Sequence, residues 1–509
     1  MADEISFKND ALALDRKEAS AQLQRYWGIS GTLSDLPGEY DQNFMVSVAG
    51  VRTYVLKVMR PDCDEAFVDL QCRALRVIAQ NDHSLPVPPV VASLDGSDVV
   101  WFRTEGHPPR LAWLIGVLPG HVYAEELPKT SSLACAIGAA HGRLGLALAD
   151  FDHPALRRPT KWDLEAAEWI VGHPEAIPQS SRRAIVDRIA GRFVGDLKAR
   201  LAALPHRAIH NDLNDHNFLV APVADGAAVS GLLDFGDMIP GARVADLAIA
   251  AAYLVLGVEN PIGLLCAYVS GVHAVAPLSE EEVDLLWPLL LTRLAVSVTN
   301  SGLGKLERPD DPYVVVSEQG AWRFLETHDS YPEEYVRARL RLACGWVAHR
   351  HAAELHRYLE SHPPAAVVMV DLESAPVLDL SVGGAGSPAD PQHFDMQALE
   401  RYVDATAVEG AAIGRYAEPR LIYTAPAFIR ETETGRERRT VHLGIDVFVP
   451  AGSIVCAPYD ATVVDVAIRA DDLDYGGVIA LEHRTDSGVS FYTLYGHLAH
   501  DVGSRHHVG

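Results

Sequence analysis

The sequence predicts an α+β chain: a small sheet-and-helix lobe, a larger helical lobe, a linker, and a small, strand-rich terminal segment. Three observations carry this. Short β-branched and aromatic runs flank an amphipathic helical pattern before residue 120, and helical patterns then dominate as far as Tyr358. A Gly/Pro-rich break follows, and beyond Thr440 the pattern becomes short strands with close turns. At 509 residues the chain exceeds one ordinary core. The expected boundaries are 1–120 for the first lobe, 121–362 for the second, 363–395 for the linker and 396–509 for the β-domain.

Within the first lobe, Tyr54–Val58 and Val99–Phe102 read as strands. Between them, Glu65–Ile78 places Phe67, Leu70, Ala74, Leu75 and Ile78 on one helical face. The Pro-rich stretch Ser84–Val91 reads as a connector. A hairpin is expected around Phe218–Val220 and Gly231–Phe235, followed by long helical patterns from Val244. The apolar stretch Leu285–Val298 is interrupted by Pro288 and Arg293, so it reads as a core helix and not as a membrane span.

Composition narrows the function classes. Lys and Arg number 43 against 68 Asp and Glu, a net charge of -25, which argues against a general nucleic-acid or anionic-membrane binder. A nucleotide site stays compatible with that balance, because one Lys, backbone amides and Mg2+ can hold a triphosphate. The six cysteines have no Cys-x-x-Cys spacing, and reduced, buried thiols are expected. Met1–Ser20 mixes acids and bases without an apolar core, so a cytoplasmic location is expected.

The most informative stretch is Ile209–Val220, IHNDLNDHNFLV, which contains His210-x-Asp212-x-x-x-x-Asn217, followed by Asp234-Phe235-Gly236. Phosphoryl transfer needs a carboxylate beside the acceptor hydroxyl and oxygen ligands for a metal that bridges the phosphates. Asp212, with His210 in the same catalytic loop, suits the first task; Asn217 and Asp234 suit the second. Lys57, in a strand upstream, is placed to hold the α- and β-phosphates.

These residues resemble the aminoglycoside phosphotransferase and choline kinase superfamily, with the closest resemblance to hydroxylysine kinases. It is carried by LPGEYDQNFMV, DLQCRALRVI, HNDLNDHNFLV and LLDFGDM and spans about Leu23 to Tyr358. The resemblance implies a two-lobed, protein-kinase-like fold with nucleotide at a hinge near Leu114–Leu118. It implies that Gly38 to Phe44, including Asn43, forms a phosphate-covering turn. It also places Gln71 where the superfamily often has a Glu that pairs with the strand Lys, and Asp246 in a structural Asp-Leu-Ala element. A neutral Gln would hold Lys57 less firmly.

Near the C-terminus, His442 and Asp446 lie four apart, and His497 follows in LYGHL. The block HLGIDVFVPAGSIVCAPYDATVVDV resembles the lysostaphin-type zinc endopeptidases. In that family a further metal ligand comes from a later His-x-His motif, which this sequence lacks; His506-His507 has the wrong spacing. The resemblance therefore implies an incomplete all-β domain with a possible but incomplete zinc site at His442, Asp446 and His497, and zinc is not expected.

The expected function is an ATP- or GTP-dependent, Mg2+-assisted phosphotransferase acting on a small amino alcohol or hydroxy amino acid. No nucleic-acid or membrane partner is expected. Resemblance to longer bacterial proteins implies a following aminotransferase-like, pyridoxal-phosphate domain and a kinase feeding a phospho-lyase. Two alternatives stay open: an antibiotic-modifying phosphotransferase on the same fold, and a zinc peptidase with a scaffolding kinase lobe. A protein kinase is disfavoured by the lack of Ala-Pro-Glu after Asp234.

Overall fold

The computed structural model describes residues 14–36, 38, 41–104, 108–224, 226–307, 318–328, 331–384, 396–423, 426–432, 435–469, 471 and 474–501. The chain divides into two compact units, Met1–Ala348 and His349–Gly509.

The first unit opens with α1 (Arg16–Trp27), whose Asp15 cap accepts the Glu18 amide while Glu18 answers the Asp15 amide, a reciprocal capping box. Strands β1 (Thr32–Leu36), β2 (Gln42–Val48) and β3 (Val51–Val58) follow, then α2 (Glu65–Asn81), β4 (Val90–Val91), β5 (Val99–Phe102) and β6 (Arg110–Gly116). They form a six-stranded antiparallel sheet in the order β1-β2-β3-β6-β4, with β5 also paired to β6. Period-2 alternation divides its two faces. Phe44, Leu56, Ala112 and Leu114 pack with Leu23 and Trp27 of α1. The other face presents Trp113, which joins the core containing Leu70, Ala74 and Ile78 of α2. The strand Val99–Phe102 and the helical face of 65–78 thus appear as the sequence predicts, except that Phe67 is only partly buried.

After β7 (His121–Val122) come α3 (Ser131–Ala147), α4 (Ser180–Arg192) and α5 (Lys198–Ala202). Strand β8 (His206–Ile209), hairpin β9 (Phe218–Val223) and β10 (Gly226–Leu232), and β11 (Ile239–Ala242) lead into α6 (Arg243–Leu254), α7 (Pro261–Val275) and α8 (Glu280–Glu307). Helices α3 and α7 meet backbone to backbone. An alanine Cβ at Gly138 would lie 2.0 Å from the Tyr268 carbonyl oxygen, and one at Gly271 would lie 2.0 Å from that of Cys135, so only glycine permits this approach. Helix α8 is buried along most of its length and runs through Pro288 without a break. The Thr292 hydroxyl donates to the Pro288 carbonyl at 2.8 Å.

The second unit contains helices Ala352–Ser361 and Met396–Thr406 and an antiparallel sheet of Thr462–Arg469, Gly476–Arg484 and Ser490–Leu498. Residues 363–384 lack regular structure, yet Ala365 donates to Pro458, Val368 bridges Val455 and Leu378 donates to Ile413. Among the described residues no helix is long and apolar enough to cross a membrane. The six cysteines are free thiols, with Cys63, Cys72 and Cys344 buried. Burial pushes the Cys63 and Cys72 thiols up to about 12, so neither forms a thiolate near neutrality.

Candidate active site

The loop between β8 and β9 is held from below by α6. Asp246 accepts the backbone amides of His210 at 3.1 Å and Asn211 at 2.7 Å, one on each carboxylate oxygen. His141 of α3 donates its Nε2–H to Asp246 at 3.0 Å, and the Tyr268 hydroxyl of α7 meets His141 Nδ1 at 2.7 Å. Burial alone would raise the Asp246 carboxyl; His141, His210 and the amide donors outweigh it and hold the group below its usual range. Burial keeps the Tyr268 phenol protonated.

His210 is fully buried. Its Nε2 lies 2.8 Å from the Leu233 carbonyl, which can only accept, while Nδ1 accepts the Asp212 amide at 3.3 Å. Both contacts suit one neutral tautomer, and burial lowers the ring's proton affinity to match. Its ring also packs 4.8 Å from that of Phe235, joining the catalytic loop to the Asp-Phe-Gly turn.

Asp212 is 22% exposed at the side chain. Oδ1 accepts from Arg293 Nη2 at 3.2 Å, and Oδ2 from the amides of Asn214 at 3.1 Å and Asn217 at 3.2 Å. Burial pushes its pKa up to about 7, Arg293 opposes the rise, and Asp237 and Asp234 add to it. The Asn217 Nδ2 also donates to the Asp212 carbonyl at 2.7 Å, which fixes the amide and leaves Oδ1 with no protein partner among the described residues. Asp234 sits at φ 61, in left-handed backbone, just beyond β10. Its carboxylate has no hydrogen bond or ion pair among the described residues, although it acts electrostatically on Asp212 and His210. These uncommitted oxygens, one on Asn217 and two on Asp234, fit a hard divalent cation whose other ligands come from phosphates and water.

The sheet register sets Asn43, Lys57 and Trp113 side by side on one face. The Lys57 ammonium lies 5.3 Å from the centre of the Trp113 ring. Gln71 is buried with its amide donating to Phe67 at 3.3 Å, and no hydrogen bond joins it to Lys57 among the described residues. The Gln71 carbonyl instead faces the Asp-Phe-Gly turn: a Cβ on Gly236 would lie 3.8 Å from Oε1 and 3.3 Å from Asp234 Oδ1. Asp41 lies within electrostatic reach of Lys57. Asp69 is taken by Arg73 at 2.8 Å and His153 at 3.2 Å. Glu39 and Tyr40, within the expected phosphate-covering turn, lie outside the described residues.

Sequence reasoning missed three supports. Arg158 donates to the carbonyls of Gly236, Met238 (2.9 Å) and Ala155 (3.0 Å), and lies 4.9 Å from the Phe67 ring. It ties the Asp-Phe-Gly turn to α2. His141 and Tyr268 are the other two, and none of the three belongs to a local motif.

In the second unit, Asp446 Oδ1 lies 3.3 Å from His442 Nε2, and His442 Nδ1 meets the Tyr423 hydroxyl at 2.7 Å. Asp446 Oδ2 faces Arg420 Nη1 at 2.7 Å, and Arg420 also donates to Glu418 at 2.8 Å. Arg420 and Glu418 are both buried. His497 sits beside Tyr475, with rings 6.4 Å apart. Among the described residues no three His, Cys, Asp or Glu side chains are placed to hold a metal, so His497 does not complete the pair. His506-His507 lies outside the described residues.

Residues 32–278 match the model of the phosphotransferase enzyme family. Over 330 residues the chain is 27% identical to hydroxylysine kinase of Mus musculus, covering 61% of this chain and 88% of the relative. With hydroxylysine kinase of Danio rerio it shares 25% over 335 residues, 63% and 93% of the two chains. Among solved structures, a microcompartment-associated aminopropanol kinase superposes with a TM-score of 0.50 at 19% identity, covering 62% of this chain and 98% of that one. The last likeness concerns the fold alone.

Proposed function

Residues 32–278 belong to the phosphotransferase enzyme family, and from that premise we propose that this small-molecule kinase phosphorylates the hydroxyl of a hydroxy amino acid or amino alcohol, with hydroxylysine as the first candidate. ATP or GTP is the donor, with Mg2+. One observation carries the reading: Asp212 is partly exposed and braced by the Asn217 amide, while Asn217 Oδ1 and the Asp234 carboxylate are uncommitted among the described residues.

In this reading Asp212 orients the acceptor hydroxyl and takes its proton as the oxygen attacks the γ-phosphorus. The bond from that phosphorus to the bridging oxygen breaks, and nucleoside diphosphate leaves. Asn217 and Asp234 hold Mg2+, which neutralises charge on the phosphates when bound. Lys57 and Asn43, together with the loop at Gly38, face the nucleotide. Gln71 acts at one remove, by packing beneath the Asp-Phe-Gly turn. His210, expected to share catalysis with Asp212, is read as a positioning residue, since both ring nitrogens are spent on the backbone.

Nucleoside diphosphate release is the test, measured with hydroxylysine, ethanolamine and 1-amino-2-propanol against both ATP and GTP. Acceptor-dependent release with at least one of them is expected. Release that no such acceptor stimulates would overturn the reading.

A further inference from the structure

Arg293 has a fully buried guanidinium whose one ionic partner among the described residues is the carboxylate assigned to chemistry. Nη2 donates to Asp212 at 3.2 Å, Nη1 reaches the Trp162 carbonyl at 3.5 Å, and Nε has no hydrogen-bond partner among the described residues. The group is 1% exposed and lies between two aromatic rings, 4.6 Å from Trp162 and 5.6 Å from Tyr253. A guanidinium carries five N–H donors in a rigid fork, so most of this fork is unused. Buried donors without partners are costly, and the matching acceptor for a planar fork is a second carboxylate.

Asp212 shows the complementary peculiarity. A carboxylate offers about four lone-pair sites. Arg293 takes one on Oδ1 and the amides of Asn214 and Asn217 take two on Oδ2, so the site left for the acceptor hydroxyl is on Oδ1, beside Arg293.

We propose that Arg293 is the receptor for a carboxylate on the acceptor, bound by the unused part of its fork while the acceptor hydroxyl meets the open site on Asp212 Oδ1. The acceptor class narrows accordingly to hydroxy acids, a refinement that rests on the kinase reading above. The arrangement also limits reach. The 3.2 Å between Arg293 and Asp212, plus two hydrogen bonds of about 2.8 Å, lets one molecule span about 9 Å between hydroxyl and carboxylate. A substrate lacking the carboxylate loses its anchor beside the base, so its hydroxyl is bound more weakly and held less firmly against Asp212.

The experiment uses the full chain with hydroxylysine and its carboxamide, which differ only in the acid group. Wild type should prefer hydroxylysine by roughly 100-fold or more in kcat/KM. Arg293→Gln should reduce that preference to about threefold, through a higher KM for hydroxylysine, with nucleotide affinity unchanged; Arg293→Lys should restore part of it. Equal use of acid and carboxamide by wild type would overturn the inference whether or not any variant folds. An equal loss on both substrates in Arg293→Gln would reduce Arg293 to a structural brace and overturn it too. If neither these compounds nor simple amino alcohols are phosphorylated, the kinase reading itself fails, an outcome distinct from indiscriminate turnover.

Discussion

One carboxylate, that of Asp246, accepts the backbone amide of His210 at 3.1 Å and thereby fixes the start of the catalytic loop from a different helix. The second oxygen takes the neighbouring amide of Asn211, so the loop is held by two parallel bonds. An Asn at position 246 would turn an NH2 toward one of these donors. Asp246→Asn should therefore lower stability by about 3–5 kcal/mol and depress kcat. Tyr268→Phe removes only the outermost hydroxyl and should cost about 0.5–1.5 kcal/mol. Denaturant unfolding followed by Trp fluorescence reads the first unit alone, because all eight tryptophans precede residue 349. Equal stability of Asp246→Asn and wild type would contradict this account of the loop.

The Asp212 carboxyl, raised to about 7, sets the pH dependence. The ionised form is the base, so kcat/KM for the acceptor should rise with pH up to about 7 and level off above it. Asp212→Asn should cost about 10²–10⁴-fold in kcat while leaving nucleotide affinity close to wild type. A rate that is flat between pH 5 and 8 would remove Asp212 from the role of base.

Asp234→Asn replaces a carboxylate that has no hydrogen bond or ion pair among the described residues. Mg-nucleotide affinity should fall by roughly tenfold or more, and transfer should be lost, because the metal loses its anionic protein ligand. Calorimetric titration with and without Mg2+ separates this from a folding defect: affinity for the metal-free nucleotide should be little changed. Unaltered Mg-nucleotide binding together with normal turnover would refute the assignment.

In the second unit, Arg420 stands between the buried Glu418 and Asp446, the position a cation would take beside His442. Protein purified without added metal should carry less than stoichiometric zinc by elemental analysis, and a His442→Ala/Asp446→Ala double variant should read the same. Arg420→Met strands two carboxylates and should cost that unit about 3–5 kcal/mol. Faster hydrogen exchange across residues 412–448 would register it, as that unit contains no tryptophan. One zinc per chain in the parent and none in the double variant would reopen a metal site there.

The parts of the site that lie close together in the chain were legible in the sequence. His210, Asp212 and Asn217 fall within eight residues, and Asp234 follows across one hairpin, so spacing alone placed them. Arg158, His141 and Tyr268 act through contacts with residues about 80 to 130 positions away, and no local pattern marks them. The pairing of Lys57 with Gln71 was expected from register on α2, but the Gln71 oxygen that could accept from the ammonium lies toward the Asp-Phe-Gly turn. Strands β1, β2 and β6 escaped notice because polar residues interleave with apolar ones in the first two, while β6 is buried nearly throughout and loses its alternation. The Gly/Pro-rich stretch 363–395 was expected to be a linker; its described residues 363–384 lack regular structure, and their backbone finds partners at Ile413, Val455 and Pro458.

The glycine contact between α3 and α7 has a genetic consequence. Tyr268 supplies both the carbonyl that crowds Gly138 and the hydroxyl that touches His141, so the separation of these helices governs how Tyr268, His141 and Asp246 align. Adding one methyl group at Gly138 or Gly271 would wedge the helices apart and slacken that alignment. A random-mutation screen for lost turnover should therefore recover both glycines alongside Asp212 and Asp234, although neither has a side chain with which to touch a substrate.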